Sequence, residues 1–289
     1  MSHFRNGPVA PGIAFITGGA RGLGNAIAVA FAKEGSKGVA LVDIQKEETF
    51  NEGKAAVEKY GAKVRERREL AAWKWSANDP KCITIHADVT KEEDVERAVK
   101  ETVDTFGRID YAANFAGIVG PLDMTWDMDI AQWRKVIDVN TIGLYICNKH
   151  ELKQMLKQES IEVEQGRPPQ QGSIVNCASV NSIMAGPGTS GYSAAKHSVA
   201  LEARSHNIRV NAVSPGFLPT KIGESVTTKD YSGMLETKAW SEYEARQGRK
   251  AHPDEIGDVV VLLSTPRMSL VNGHNLVIDG GFTINESNT

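Results

Sequence analysis

The stretch Ile13–Gly24 reads IAFITGGARGLG, an apolar run that passes directly into a glycine-rich turn. The alanine-rich stretch 22–34 follows with apolar residues at helical spacing. Strand, turn and helix in this order are the context in which the pattern Thr17-Gly18-x-x-x-Gly22-x-Gly24 binds a dinucleotide. Glycines let the main chain approach a phosphate, and the helix N-terminus offers it unpaired N–H groups and a positive dipole end. The alternative, simple strand-to-helix packing, does not require this context.

Outward from this stretch, short apolar runs alternate with longer amphipathic stretches. The runs predict seven strands at 13–17, 39–43, 83–88, 109–114, 173–179, 209–214 and 275–279. The amphipathic stretches predict helices at 22–34, 46–60, 91–106, 130–158 and 190–205. A repeated strand–helix–strand pattern indicates a parallel sheet, so we expect a doubly wound α/β fold, Rossmann-like and in one domain.

Asp43 ends the second predicted strand, at about the distance beyond the glycine turn where an acidic residue binds the ribose hydroxyls of adenosine. This placement favours NAD over NADP, because the 2′-phosphate of NADP would face a like charge. Two unit charges 4 Å apart repel by about 4 kcal/mol at an effective dielectric of 20.

Tyr192 and Lys196 are four residues apart on the predicted helix 190–205 and therefore share one face. A cation close to a phenol favours the phenolate, which makes proton transfer feasible near neutral pH. The alternative for the pair alone is an ordinary amphipathic helix fragment. Ser179 lies thirteen residues before the tyrosine.

The glycine turn, Asp43, Asn114-Phe115-Ala116-Gly117, Asn140, Ser179, the Tyr192/Lys196 pair and Pro215-Gly216 follow one another along the chain. In this order the chain resembles the short-chain dehydrogenase/reductase family, from about Gly12 to Phe282. The resemblance implies the strand order 3-2-1-4-5-6-7 and hydride transfer between a nicotinamide coenzyme and a secondary alcohol or ketone.

The resemblance also implies the residues that bind the coenzyme. Asp88 and Val89 match the position that meets the adenine, although an aspartate there is also a routine helix cap. Arg21 precedes Gly22, where relatives that use NADP often carry a basic residue, so it opposes the preference that Asp43 indicates. The expected coenzyme-binding set is Gly18, Arg21, Gly22, Leu23, Gly24, Asp43, Asp88, Val89, Asn114, Ala116, Gly117, Tyr192, Lys196, Pro215, Gly216 and Thr220. Phe115 replaces the second asparagine of the family's usual Asn-Asn-Ala-Gly.

Four residues are expected at the reaction centre. By resemblance, Tyr192 exchanges the substrate proton, and Lys196 lowers the pKa of that phenol and holds the nicotinamide ribose. Ser179 hydrogen-bonds the substrate oxygen, and Asn140 connects Lys196 to solvent through water. The alternatives are a turn-forming serine and a helix-bending asparagine.

Three regions depart from the family outline. The segment 64–80, after an expected helix stop at Gly61, and the polar run 159–171 are expected to be surface insertions. The helix after Lys196 is roughly seven residues shorter than in most relatives, which argues against the homodimer or homotetramer that the resemblance implies.

By resemblance the region 217–249 is a substrate lid, and its apolar and aromatic residues suggest an apolar or aromatic substrate, although packing alone explains them as well.

The composition excludes several classes of partner. Hydrophobic residues make up 41% of the chain, charged residues 24%, and the net charge is -3, so nothing favours nucleic acid or anionic lipid. No run approaches the ~20 apolar residues that span a bilayer, and a cytoplasmic protein is expected. Cys82, Cys147 and Cys177 have no C-x-x-C spacing and are expected to be buried free thiols, and no histidine spacing supports a metal site.

The sequence therefore predicts an NAD-dependent oxidoreductase acting on a small secondary alcohol or ketone. Two alternatives stay open: a ketone reductase that uses NADPH, and a dinucleotide-binding protein without catalysis.

Overall fold

A computed structural model describes residues 8–65, 82–121, 123–162, 166–182, 204–218 and 245–284 of the chain. All seven predicted strands are present there, with ends within two residues of those predicted. They are β1 (Ile13–Thr17), β2 (Gly38–Asp43), β3 (Cys82–His86), β4 (Tyr111–Asn114), β5 (Gly172–Cys177), β6 (Ile208–Pro215) and β7 (Asn275–Ile278).

The seven strands form one parallel sheet in the order β3-β2-β1-β4-β5-β6-β7. This confirms the doubly wound fold and the strand order that the family resemblance implied. The order in which strands are added to the sheet reverses at β1. The strands β2 and β3 lie on one side of β1, and β4 to β7 lie on the other side. The carboxyl ends of parallel strands meet at one edge of the sheet, and ligands of such folds bind in the crevice at the reversal point.

The helices cover both faces of the sheet. The described helices are α1 (Gly22–Lys33), α2 (Glu47–Arg65), α3 (Glu92–Phe106), α4 (Ile130–Ile137), α5 (Leu144–Met155) and α6 (Pro253–Ser264). A π-helical segment, Asp138–Gly143, joins α4 to α5. Short 3₁₀ turns lie at Val180–Ser182, Arg204–His206 and Pro266–Met268.

Alternate residues of each strand enter opposite cores, because successive side chains of a strand point to opposite faces. Ile16 and Leu41 pack with Phe31 of α1 and Ile256 of α6. Their neighbours in the strands, among them Phe15, pack on the other face with residues of α3 and α5. Burial on both faces explains why the strands read as continuous apolar runs rather than alternating ones.

Three helix predictions need correction. Helix α2 continues through Gly61 to Arg65, because the good helix formers after the glycine outweigh a cost of about 1 kcal/mol. The predicted helix 130–158 is interrupted by the π segment and ends at Met155. Helix α6 was not predicted, although Pro253 at its start and acidic residues in its first turn are start signals.

The predicted insertions are only partly described. The first two residues of 64–80 belong to α2, and 66–81 lies outside the described residues. In 159–171 the structure describes residues 159–162 and 166–171, and an antiparallel bridge joins Ile161 to Gln170. Cys82 and Cys147 are buried as predicted, whereas Cys177 is only half-buried because it lies at the carboxyl end of β5.

Within the described ranges, no helix combines the length and the apolar character needed to cross a bilayer.

Candidate functional site

Three of the four glycines in the turn after β1 belong to the dinucleotide-binding pattern, and their surroundings differ. Gly18 has φ 68°, and a Cβ there would lie 2.7 Å from the main-chain oxygen of Phe115. A Cβ on Gly24 would collide with the main-chain oxygen of Gly18. These two glycines therefore permit close packing of the turn against the β4 loop and against helix α1.

Gly22 differs because a Cβ there, at φ 60°, would meet no other described segment of the chain within 4 Å. It is the first residue of the alanine-rich helix α1, whose N-cap residue, Arg21, is exposed and makes no side-chain cap hydrogen bond. Open space, a glycine main chain and uncapped N–H groups thus coincide at the N-terminus of α1. This combination fits the pyrophosphate of a dinucleotide. Leu23 turns inward and packs against the core.

Asp43 lies directly against this turn. Its Oδ2 accepts a hydrogen bond from the Ala20 N–H at 3.0 Å, and its Oδ1 accepts one from the Ile44 N–H at 2.8 Å. Burial raises the pKa of the Asp43 carboxyl, while the two main-chain donors and the charge of Arg21 act in the opposite direction. The two residues that indicate different coenzymes therefore lie side by side at the end of β2.

Asn114 connects the glycine turn to the strands beside it. Its Oδ1 accepts a hydrogen bond from Thr17 Oγ1 at 3.3 Å, and Thr17 Oγ1 accepts one from the Ala116 N–H at 3.4 Å. The Asn114 amide nitrogen donates to Glu151 Oε2 at 2.9 Å and to Asn176 Oδ1 at 3.1 Å. This buried chain of hydrogen bonds fixes the ends of β1 and β4 relative to each other.

Glu151 is the functional-site neighbour that sequence reasoning missed. Its side chain is fully buried, and burial raises the pKa of its carboxyl to about 8, against the Asn114 hydrogen bond, which lowers it. Among the residues that the structure describes, the Glu151 Oε1 atom has no hydrogen-bond partner. A signal existed in the sequence: Cys147, Glu151 and Met155 are spaced by four along α5, so a carboxylate stands in an apolar stripe.

The π segment aims Asn140 at the loop after β4. Asn140 Nδ2 donates to the Ile118 carbonyl at 2.8 Å, and Asn140 Oδ1 accepts from the Ile118 N–H at 3.0 Å. A Cβ on Gly117 would lie 3.0 Å from Asn140 Oδ1, so a side chain at this point would press on the Asn140 amide. Insertions of this kind in a helix are frequent at functional sites.

Asp88 and Val89 follow β3 at the same edge of the sheet. Asp88 Oδ1 accepts hydrogen bonds from Thr90 N and Thr90 Oγ1, at 3.0 and 2.7 Å. Helix α3 begins at Glu92 with Lys91 as its N-cap residue, so Asp88 shapes the turn before the helix rather than capping it. Val89 is 8% exposed and packs against α5.

Ser179 lies just beyond β5 and is 9% exposed. Its Oγ accepts a hydrogen bond from the Asn181 N–H at 3.2 Å, which is the turn-forming geometry expected of a serine in this place. A hydroxyl that accepts this bond retains its own proton for another acceptor. Pro215 ends β6, and the N–H of Gly216, the next residue, donates to the Ile278 carbonyl at 2.9 Å.

The carboxyl edge of the sheet thus brings together most of the predicted set. Gly18, Arg21, Gly22, Gly24, Asp43, Asp88, Asn114, Ala116, Gly117, Asn140, Ser179, Pro215 and Gly216 lie in or beside the loops at this edge. Tyr192, Lys196 and Thr220 lie outside the described residues, as does the predicted helix 190–205 up to residue 203. The last two residues of that prediction lie in the 3₁₀ turn Arg204–His206. Within the described ranges, no group of three or more His, Cys, Asp or Glu side chains could hold a metal ion.

Comparisons with known proteins cover nearly the whole chain. A family profile described as "Enoyl-(Acyl carrier protein) reductase" matches residues 18–283. Zerumbone synthase of Zingiber zerumbet is 36% identical over 286 residues, which covers 94% of this chain and 94% of that protein. (+)-Borneol dehydrogenase 2 of Salvia officinalis is 32% identical over 291 residues, covering 94% of this chain and 89% of that protein. The crystal structure of levodione reductase is similar with a TM-score of 0.79 and 33% identity, over 96% of this chain and 99% of that chain.

Proposed function

This chain belongs to the short-chain dehydrogenase/reductase family, and from that premise we propose that it interconverts an apolar secondary alcohol and its ketone with NAD(H). It is an oxidoreductase that transfers a hydride between an alcohol and a ketone, as its relatives are, and the family uses a nicotinamide dinucleotide. The observation that carries the proposal is the meeting of the open glycine turn with the Asp43 carboxyl at the carboxyl edge of the sheet.

The choice of NAD(H) depends on Asp43. Its carboxyl is held against the turn by Ala20 and Ile44, so it cannot swing away from a ribose bound there without breaking two hydrogen bonds. An unesterified 2′-hydroxyl can donate to this carboxylate, whereas a 2′-phosphate would be repelled. Arg21 supports the second candidate, an NADPH-dependent ketone reductase, because its exposed guanidinium lies close enough to Asp43 to affect the pKa of that carboxyl.

The glycine turn would hold the coenzyme's pyrophosphate through main-chain N–H groups at Gly22 and the first turn of α1. Pro215 and Gly216 would line the nicotinamide. When bound, the coenzyme supplies or accepts the hydride. The protein's task is then to orient the substrate, exclude water and move one proton.

For that proton we propose the Tyr192 phenol, with Lys196 lowering its pKa. Ser179 retains a hydroxyl proton that can be donated to the substrate oxygen, which would steady the charge developing there. Asn140 lies in the π segment and is held by two hydrogen bonds to the main chain of Ile118. It would connect Lys196 to solvent through water.

The proposed preference for an apolar substrate is supported by the relatives named for borneol and levodione. Two side chains at the start of the proposed lid, 217–249, pack against other parts of the protein instead of being free to line a substrate pocket. Phe217 contacts the Phe282 ring, with centroids 4.8 Å apart, and Leu218 is buried in the main core. Met184 and Trp126 are two further candidates for the lining of the substrate pocket. Met184 lies outside the described residues, and Trp126 is 80% exposed.

Homo-oligomer formation is also a proposal. Apolar side chains on α4, the π segment and α5 are well exposed: Ile130 60%, Ile142 48% and Tyr145 59%. A second copy of the chain could cover this face. Light scattering tests this, and a monomer at all concentrations contradicts it.

The net charge of -3 gives no support to a nucleic-acid partner, and a cytoplasmic location stays a prediction.

A screen of secondary alcohols with NAD⁺ and NADP⁺, followed at the reduced-nicotinamide absorbance, tests the proposal. We expect turnover with NAD⁺ and a higher kcat/KM than with NADP⁺. A strong preference for NADP⁺ would reverse the coenzyme assignment in favour of the second candidate. Coenzyme binding by titration without turnover of any alcohol or ketone would favour a silent dinucleotide-binding protein.

A further inference from the structure

Three parts of the chain that are distant in sequence meet at one buried glutamine beyond the end of β6. Gln247, in a helical turn at 245–247, is 5% exposed. Its Oε1 accepts a hydrogen bond from the Phe217 N–H at 2.9 Å, and its Nε2 donates to the Phe217 carbonyl at 3.1 Å and to the Arg249 carbonyl at 3.0 Å. Both donors of the primary amide are used, and both main-chain groups of Phe217 are held by one side chain.

This pairing continues the sheet where a strand ends. The paired residues of β6 and β7 run as far as Pro215 and Ile278, and Gly216 then donates its N–H to the Ile278 carbonyl at 2.9 Å. At the next residue, Phe217, the Gln247 amide takes the place that a strand neighbour would occupy. The direction of the main chain beyond Pro215 is therefore set by a side chain.

The space around this glutamine admits only glycine. A Cβ on Gly216 would collide with Gln247 Oε1 and would lie 2.9 Å from the Asp279 Cα. A Cβ on Gly280, at φ 60°, would lie 2.5 Å from the Gln247 main-chain oxygen. The end of β6 and the turn after β7 thus close on Gln247 from two sides.

The residues next to Gln247 are themselves held in place. The guanidinium carbon of Arg246 lies 4.4 Å from the centre of the Phe282 ring, and Arg246 Nε donates to the Phe282 carbonyl at 3.0 Å. Asp279 accepts hydrogen bonds from Gly281 N and Thr283 N at 2.9 and 2.8 Å. Because the residues around Gln247 are fixed, its side chain can hold the main chain of Phe217 in a defined position.

We propose that Gln247 is a positioning residue, which fixes the main chain of Gly216 and Phe217 beside the bound coenzyme and thereby sets the distance between nicotinamide and substrate. The inference rests on the proposed function, in which Pro215 and Gly216 line the nicotinamide. Misplacement of a reacting group by about 1 Å lowers rates by about 100-fold. Loss of the three hydrogen bonds of the Gln247 amide should therefore lower the rate of hydride transfer.

The test compares Gln247→Leu with Gln170→Leu. Gln170 is the matched control, because it is also buried, at 6% exposure, and its Nε2 donates to the Ser264 carbonyl at 3.0 Å. It precedes β5 and therefore lies at the opposite edge of the sheet from the coenzyme site. Both substitutions remove the hydrogen bonds of a buried side-chain amide, so both should lower the melting temperature.

Only Gln247→Leu should change the function. We expect its kcat to fall by about 10- to 100-fold and the NAD(H) dissociation constant, measured by titration, to rise, while Gln170→Leu keeps both close to wild type. Amide hydrogen exchange in the peptide containing Phe217 should accelerate in the first variant and not in the second. Gln247→Glu keeps an acceptor for the Phe217 N–H and loses both donations, so it should fall between wild type and Gln247→Leu. It also replaces Gln247→Leu in the comparison if that variant does not fold.

Two results would overturn the inference while leaving the proposed function intact: wild-type kcat and coenzyme affinity in both Gln247 variants, or equal losses in the Gln170 control. A wild-type protein that binds neither NAD(H) nor NADP(H) would overturn the proposed function, and the inference would fall with it. Normal wild-type turnover separates the two kinds of failure.

Discussion

Replacing Glu151 by glutamine should flatten the pH dependence of stability between about pH 5 and pH 8. Glu151 is fully buried in α5 and accepts one hydrogen bond from Asn114, and its Oε1 has no partner in the described part of the chain. Burial raises the pKa of this carboxyl from 4.5 to about 8 in the folded protein. In the unfolded chain the same carboxyl is ionised throughout most of this range.

The sign follows from proton binding. Between the two pKa values the folded protein holds a proton on Glu151 that the unfolded chain has released, so raising the pH favours unfolding. Glu151 is therefore harmless to stability below about pH 4.5 and progressively destabilising as the pH rises to about 8. One pKa unit corresponds to about 1.4 kcal/mol, so the free energy of unfolding should fall by about 3 kcal/mol by pH 7 and about 5 kcal/mol above pH 8.

Urea titrations at half-unit steps of pH give the free energy of unfolding for wild type and for Glu151→Gln. The glutamine side chain in this variant would still accept the Asn114 hydrogen bond but cannot ionise, so the difference between the two proteins isolates this one group. Asp94→Asn is the control: the Asp88 N–H and Arg97 lower the pKa of Asp94, so that carboxyl stays ionised across the whole range. Its removal should change the level of stability and leave the slope unchanged. Parallel slopes for wild type and Glu151→Gln would refute the reasoning, because Glu151 would then titrate as an exposed carboxyl does.

Asp43→Asn should raise the ratio of kcat/KM with NADP⁺ to that with NAD⁺ by at least about tenfold, with an upper bound set by about 4 kcal/mol of like-charge repulsion; an unchanged ratio would show that Asp43 does not meet the ribose. Gly22→Ala should fold but lose at least about tenfold in coenzyme affinity, because the methyl group enters the open space meant for phosphate. Gly166→Ala, which also has a positive φ and open space but lies in a loop away from the cleft, should bind coenzyme normally, and equal affinities for both variants would contradict the assignment. Tyr192→Phe should lower kcat by about 10² to 10⁴-fold while leaving the NAD(H) dissociation constant unchanged, and retained turnover would remove Tyr192 from the mechanism.

Much of the fold could be predicted because its signals are local. All seven strands were recognised from apolar runs, since strands buried on both faces of a sheet must be apolar along their length. The glycine turn was equally clear, because positive φ values at Gly18 and Gly22 and the contact of Gly24 with Gly18 each require a residue without a side chain. The order of the strands came from the family resemblance, since spacing alone does not distinguish which strands become neighbours.

The candidate site was predictable only in part. Asp43 was found because a fixed distance separates it from the glycine turn, and the structure places it there. Glu151 and Gln247 were missed because their importance depends on partners 37 and 30 residues away, Asn114 and Phe217. The reaction-centre pair Tyr192 and Lys196 stays a prediction.

The sequence by itself determined the seven strands and the glycine turn, because these follow from periodicity or from backbone demands within a few neighbouring residues. The order of the motifs along the chain indicated the family. Only the tertiary structure decided where α2 and α5 end, that a π segment turns Asn140 toward Ile118, and that a carboxyl is buried beneath Asn114. The physical reason is that these features depend on contacts between distant segments. A glycine is tolerated inside a helix, and a carboxyl inside a core, when the surrounding packing and hydrogen bonds offset what each costs locally.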